Sequence, residues 1–224
     1  MDEARVRPSR HATTVAFDWN GTLLADTDRA WQAARVALGR RGLRQPGRQE
    51  FFRRWRLPLE RLFSDFGVGP TEVATAIDEW NEEVGAREAN LAPGALEMLQ
   101  ALRAVGTRVG VVSAAAPHVI EQDLARLGLG RLLDFTVGGA EPKRVALSAI
   151  RGDDVGRVIY VGDTEYDMVE ARAAGAWAVG YGGGYRPSRV LHGAGAHYVI
   201  DRLELLPDLV RQLDGRARRT DDAS

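Results

Sequence analysis

The sequence predicts an α/β protein: a doubly wound, Rossmann-like parallel sheet core interrupted by an inserted all-α helical lobe. Three features carry that expectation. Short, almost continuous apolar runs recur along the chain, each bounded by glycine or polar residues. Segments with helical apolar spacing lie between them, and such alternation is the mark of strands joined by right-handed helical crossovers. One stretch of about ninety residues between the first and second runs carries helical spacing only, with no strand-like run.

In chain order, the strand-like runs are Thr13–Asp18 (TTVAFD), Arg108–Ser113 (RVGVVS), Asp134–Gly138 (DFTVG), Val158–Asp163 (VIYVGD) and Trp177–Tyr181 (WAVGY). Runs apolar at consecutive positions suit strands covered on both faces, as in a parallel sheet. Ala95–Val105, Val119–Leu129 and Glu165–Ala174 have helical spacing. Pro117 fits a first helical turn, Gly128 or Gly130 can end that helix, and Gly175 ends the next. In the strandless interval, Ala30–Leu38, Glu50–Trp55, Leu59–Phe66 and Val73–Val84 read as helices, separated by Gly42–Gly47 and Gly67–Pro70. The expected organisation is a core of residues 12–24 and 91–214, a helical lobe of residues 25–90, and flexible tails at 1–11 and 215–224.

Composition narrows the function. The chain has 224 residues, 45% hydrophobic and 27% charged, with a net charge of −1. That balance creates no whole-protein field for gathering nucleic acid or membrane, so neither is expected as a partner. The longest apolar runs, such as Val109–Val112, are strand-sized and far below the ~20 residues of a membrane span. Met1–Arg10 is charged and not a signal core, and there is no cysteine, so a cytoplasmic protein is expected. Without cysteine, disulfides, thiolate metal sites and a thiol nucleophile are excluded. Of the 30 basic residues, Lys143 is the single lysine.

The chemistry gathers at the carboxyl ends of strands, where open α/β sheets bind ligands. The first strand ends in Asp18-Trp19-Asn20-Gly21-Thr22-Leu23, the second in Ser113-Ala114, and the fourth in Gly162-Asp163-Thr164-Glu165-Tyr166-Asp167. Carboxylates converging there would repel one another unless a hard cation joined them; oxygen ligands and phosphate chemistry favour Mg2+.

These pieces, DWNGTL at Asp18–Leu23, Ser113, Lys143 and GDTEYD at Gly162–Asp167, resemble the haloacid dehalogenase superfamily, most closely its phosphoglycolate-phosphatase-like branch with a helical cap. The resemblance covers about residues 13–210. It implies a phosphatase acting on a small phosphorylated substrate, with Asp18 as the nucleophile that forms an aspartyl phosphate. It implies that Gly21, Thr22, Ser113 and Ala114 hold the phosphoryl oxygens, and that Lys143 places a charge between nucleophile and phosphate. It also implies Mg2+ bound by the Asp18 carboxylate, the Asn20 main-chain carbonyl and Asp163, with Asp167 bound to it directly or orienting it.

The family pattern has aspartate two residues after the nucleophile, as acid for the departing alcohol and base for water. Here it is Asn20, an amide that performs neither transfer. Three readings follow: a substrate with a good leaving group, a substitute such as Glu165, Asp26 or His118, or a protein that binds phosphorylated ligands with little turnover. The intact set of other motif residues favours a slow or specialised phosphatase. The phosphonate-cleaving branch needs a lysine in the cap, and the cap has only arginine. Haloacid dehalogenation is disfavoured by the Asn-Gly-Thr arrangement.

Other signals are weaker. Arg40, Arg41, Arg44, Arg48, Arg53, Arg54, Arg56 and Arg61 crowd the cap, opposed locally in sequence by Glu50 and Glu60. They read as a solvated face in an arginine-biased chain, against the alternatives of substrate recruitment or an RNA-binding patch. Phe51, Phe52 and Trp55 read as cap core. Gly180–Arg186 (GYGGGYR) reads as a flexible loop bordering the site, since a dinucleotide fingerprint belongs after the first strand. His11, His192 and His197 lack metal-ligand spacing.

Overall fold

The computed structural model describes residues 13–151 and 157–221. Strand β1 (Thr13–Phe17) leads into four helices, α1 (Thr27–Gly39), α2 (Arg48–Arg54), α3 (Leu59–Asp65) and α4 (Val73–Ala86). The chain then alternates: α5 (Ala95–Ala104), β2 (Arg108–Val112), α6 (Pro117–Leu127), β3 (Phe135–Val137), α7 (Lys143–Arg151), β4 (Arg157–Gly162), α8 (Glu165–Ala173), β5 (Trp177–Tyr181), α9 (Ser188–Gly193), β6 (Tyr198–Ile200) and α10 (Leu206–Asp221). The six strands form one sheet in the order β3-β2-β1-β4-β5-β6, every pair parallel.

The doubly wound α/β fold is therefore as the strand pattern predicts. β1 lies at the switch point, because the chain leaves it toward β2 and β3 on one side and returns to β4 and β5 on the other. Phe17 is in register with Val111 of β2 and Val161 of β4. That register brings the carboxyl ends of β1, β2 and β4 level, so Asp18, Ser113 and Asp163 emerge along one edge.

Alternate strand residues feed opposite layers. Val15, Phe17, Val109, Val111, Ile159 and Val161 share a core with Met98 and Leu99 of α5 and Val210 of α10. Ala16, Val112, Val158 and Tyr160 face Leu147 of α7, Met168 of α8 and Leu191 of α9. A separate cluster, including Ala33, Ala37, Phe51, Phe63, Ala76 and Trp80, holds α1 to α4 together as the inserted lobe. The two segments joining this cap to the sheet run side by side: Ala25 N–H donates to the Asn90 carbonyl at 2.9 Å, and Leu24 bridges Leu91.

Several details differ from the sequence reading. α7, α9 and β6 are additional; the last two are six and three residues long, too short to show a period. α10 runs to Asp221, past residue 215 where a tail was expected. Leu206, Val210 and Leu213 anchor it in the core. The tail expected at 1–11 lies outside the described residues. Among the described residues no helix is long and apolar enough to cross a membrane.

Candidate active site

Asp18 follows β1 directly and is fixed on three sides. Its N–H donates to the Val161 carbonyl at 2.8 Å, its Oδ1 accepts from the Trp19 N–H at 2.8 Å, and its Oδ2 lies 2.9 Å from Lys143 Nζ. Lys143, the first residue of α7, has no solvent exposure, and its ammonium also reaches Asp167 Oδ1 at 2.6 Å. The lone lysine thus sits between two carboxylates, a task suited to a compact point charge more than to a planar fork. Burial alone would lower its pKa, but the adjacent Asp167 and Asp18 outweigh burial and hold it above its usual value.

Asp167 is spent on positioning. Its Oδ1 takes Lys143 and, at 3.4 Å, the Tyr160 hydroxyl. Its Oδ2 accepts from Asp163 N–H, Thr164 N–H and the Thr164 hydroxyl, closing the amino-terminal capping box of α8. With five donors, this carboxylate has little capacity left for a cation. Asp163 accepts from the Thr22 hydroxyl at 3.0 Å and from the Tyr185 N–H at 2.7 Å. The loops reach it this closely because a Cβ at Gly21 (φ +76°) or at Gly184 would collide with its carboxylate.

Asp18, Asp163 and Asp167 offer oxygen atoms within 4.8 Å of one another. Burial, with neighbouring carboxylates adding to it, raises the Asp163 carboxyl well above its ordinary value. The Asp18 carboxyl is raised too, by burial first and against the pull of Lys143. One ammonium among three buried carboxylates leaves excess negative charge, and the buried Asn20 Oδ1 has no hydrogen-bond partner. Both observations fit a divalent cation, with Asp18 and Asp163 better placed to hold it than Asp167.

A narrow cleft of about 30 Å³ lies over this group, beneath the cap. Of the residues singled out in the sequence, Asp18, Asn20, Ser113, Ala114 and Lys143 line it. Gly21, Thr22, Asp163 and Asp167 do not: the two aspartates are fully buried behind the floor, and Thr22 is turned away, fully buried, to hold Asp163. The candidate substitutes for the missing acid are elsewhere. His118 is exposed, Asp26 is buried and bonded to the Tyr185 hydroxyl, and Glu165 is taken by Arg186 at 2.8 and 3.0 Å.

With this geometry in view, the sequence profile of the haloacid dehalogenase-like hydrolase family matches residues 15–180. The chain belongs to that family. It is 35% identical over 129 residues to phosphoglycolate phosphatase of Cereibacter sphaeroides (strain ATCC 17029 / ATH 2.4.9), covering 54% of this chain and 58% of that relative, so the match spans little more than half of the relative's length. It is 25% identical over 221 residues to phosphoglycolate phosphatase of Pseudomonas fluorescens (strain Pf0-1), covering 89% of this chain and 80% of the relative. Its fold is similar to the crystal structure of a predicted phosphatase from Clostridium acetobutylicum, with a TM-score of 0.80 at 21% identity over 90% of this chain and 99% of that one.

This haloacid dehalogenase-like chain also uses residues that the motifs do not flag. The GYGGGYR loop borders the site as expected, but it is fastened, not loose. Tyr185 gives its N–H to Asp163 and its ring to the cap, with centroids 4.7 Å from Trp55 and 5.4 Å from Phe52. Arg186 bonds Glu165 of α8 and the Phe52 and Trp55 carbonyls of the cap. Trp55 and Trp80 are cap core and also roof the cleft, so Trp55 does more than its core spacing suggested. Six of the eight cap arginines pair with acids: Arg40 and the largely buried Arg41 with Glu72, Glu79 and Glu83 near or on α4, Arg44 and Arg54 with Glu50, Arg48 with Asp28 and Arg56 with Asp65. Glu50 and Asp65 are near their arginines in sequence, whereas Arg40, Arg41 and Arg48 reach acids of other helices that the local sequence does not show. His192 and His197 are exposed, and His11 lies outside the described residues.

Proposed function

We propose that this chain is a magnesium-dependent phosphatase that hydrolyses a small phosphorylated metabolite through an aspartyl phosphate on Asp18. The observation carrying this reading is the pairing of Asp18 with Lys143 at the floor of the cleft, with Asp167 behind Lys143 and Asp163 close enough to share a cation. Relatives named phosphoglycolate phosphatase support the reaction class. Mg2+, held by Asp18 and Asp163 with the Asn20 carbonyl, would neutralise charge on the phosphoryl group and the nucleophile. A composition without cysteine supports a cytoplasmic setting.

The chain's own residues do the rest. Trp19 N–H and Lys143 hold the Asp18 carboxylate in one orientation, so it meets phosphorus without a search for geometry. Ser113 and Ala114 line the same cleft and bind the phosphoryl oxygens there, with Lys143 easing the approach of two anions. Attack breaks the phosphorus–alcohol bond and leaves the alkoxide; water then returns Asp18 and inorganic phosphate. Asn20 supplies no proton to the departing oxygen, a function worth about a hundred to ten thousand fold.

Phosphate release from a panel of phosphomonoesters, with and without Mg2+, tests this. Asp18→Asn is expected to lower release at least about a thousandfold, and chelating Mg2+ is expected to stop release by the unaltered chain until Mg2+ is restored. Asn20→Asp is expected to raise turnover of an alkyl phosphate at least about tenfold. The unprotonated Asn20 position favours one second reading, a phospho-ligand binding protein. Binding of orthophosphate analogues without any release on the panel would select it.

A further inference from the structure

The cleft over Asp18 has a floor and a roof of opposite chemistry. The floor is Asp18, Asn20, Ser113 and Lys143; the roof is Trp55, Leu57, Leu59, Trp80 and Tyr185. Among the described residues lining the cleft, the cap contributes no charged side chain. The cap's Arg56 lines a neighbouring groove and pairs with Asp65. Arg186, in that same groove, is bonded to Glu165 and to two cap carbonyls. The floor's one cation, Lys143, is already shared between Asp18 and Asp167, so a small anionic group carried toward the roof would leave water without a charged partner of its own. The roof is instead aromatic, with Trp55 lying 6.0 Å from Trp80 and 4.7 Å from Tyr185 between ring centroids, and a ring admitted as the cap lifts would find π faces and edges there.

Asn20 restricts the leaving group independently. Its amide cannot protonate the departing oxygen, and neither Asp26, Glu165 nor His118 lines the cleft. An aliphatic alkoxide, with a conjugate acid close to water at about 15.7, leaves poorly without that proton. A phenoxide, near the tyrosine value of about 10, leaves far more readily.

We infer that the substrate is a phosphomonoester of a phenol-type aromatic alcohol, its ring under the Trp55–Trp80–Tyr185 roof, and not a phosphorylated small carboxylate. This rests on the phosphatase reading and sharpens it to a substrate class. The reaction moves the phosphoryl group from phenolic oxygen to Asp18 and then to water. The phenoxide takes its proton from solvent.

Four substrates with Mg2+ present decide it: phenyl phosphate, benzyl phosphate, 2-phosphoglycolate and acetyl phosphate. Expected is a kcat/KM for phenyl phosphate about a hundredfold above 2-phosphoglycolate and at least about tenfold above benzyl phosphate, a gap that Asn20→Asp narrows. Leu57→Arg, at a partly exposed roof position, is expected to lower use of phenyl phosphate and raise that of 2-phosphoglycolate. Quenching of tryptophan fluorescence by phenylphosphonate, expected about tenfold tighter than by phosphonoacetate, reads the same preference without turnover or mutation. Equal or better use of 2-phosphoglycolate, benzyl phosphate matching phenyl phosphate, or equal binding of the two phosphonates overturns the inference. Release from acetyl phosphate alone does the same but leaves the phosphatase reading standing. No release from any of the four removes both.

Discussion

Asp26, at the amino end of α1, is a carboxyl placed where a charge is costly. It is 2% exposed, one oxygen accepts from the Tyr185 hydroxyl at 3.1 Å, and the other has no partner. Burial pushes it up to about 7, against the attraction of Arg29 and the Tyr185 and Gly21 hydrogen bonds. A folded-state value above the ordinary 3.8 means that the native protein retains a proton the unfolded chain gives up. The penalty is absent below pH 4, grows between pH 4 and 7, and is complete above 7, at roughly 4 kcal/mol. Asp26→Asn keeps an acceptor for Tyr185 and removes that cost. Urea midpoints should rise at pH 8 and stay unchanged near pH 4; an equal shift at both would contradict the account. Nothing in the local sequence reveals this residue's state, because Tyr185 arrives from 159 positions away.

Helices α1, α4 and α6 meet at one buried ion pair. Arg29 of α1 donates to both oxygens of Asp123 on α6, at 2.8 and 2.9 Å, and to the Val84 carbonyl of α4 at 2.6 Å. The Trp19 indole adds a donor to Asp123 at 3.3 Å, which links the pair to the residue beside Asp18. The pair joins cap helices to a core helix with its charges satisfied. Asp123→Ala strands the Arg29 charge and is expected to cost about 3–5 kcal/mol in denaturant unfolding. Arg29→Met combined with Asp123→Leu should recover most of that loss; a double variant as unstable as the single would refute the stranded-charge explanation. The helices themselves were readable from their apolar spacing, and the start at Pro117 and left-handed Gly128 at the end of α6 follow local chemistry. The pairing between them was not, since a lone Arg and a lone Asp 94 residues apart look like surface charges.

Across the whole molecule, Arg186 is the tie between cap and sheet. It leaves the β5–α9 loop, takes Glu165 on α8 and donates to two carbonyls at the end of α2. Caps over such sites open for substrate and close to exclude water. Replacing Arg186 with Gln removes the charge-assisted bonds while retaining a polar side chain. Hydrogen exchange over residues 48–66 should accelerate at least about tenfold, with β1 and β4 unchanged. Unchanged protection in that segment would show that the Arg29–Asp123 pair and the Tyr185 contacts hold the cap without Arg186.

By itself the sequence determined the alternation of strands and helices, the inserted helical segment and the strand-end residues Asp18, Ser113 and Asp163. These rest on local periodicity and on the rule that ligands gather at the carboxyl ends of parallel strands. Lys143 was also legible, as the one lysine in an arginine-rich chain. The tertiary structure decided what each polar group faces: Thr22 toward Asp163 and not the cleft, Asp167 toward Lys143 and the α8 cap, Arg40, Arg41 and Arg48 toward acids of other helices. It also made a roof from Trp55, Trp80 and Tyr185, which come from two helical segments and a late loop. The reason is physical: side-chain direction and pairing depend on contacts between segments far apart in sequence, and those distances close only when the cap folds onto the sheet.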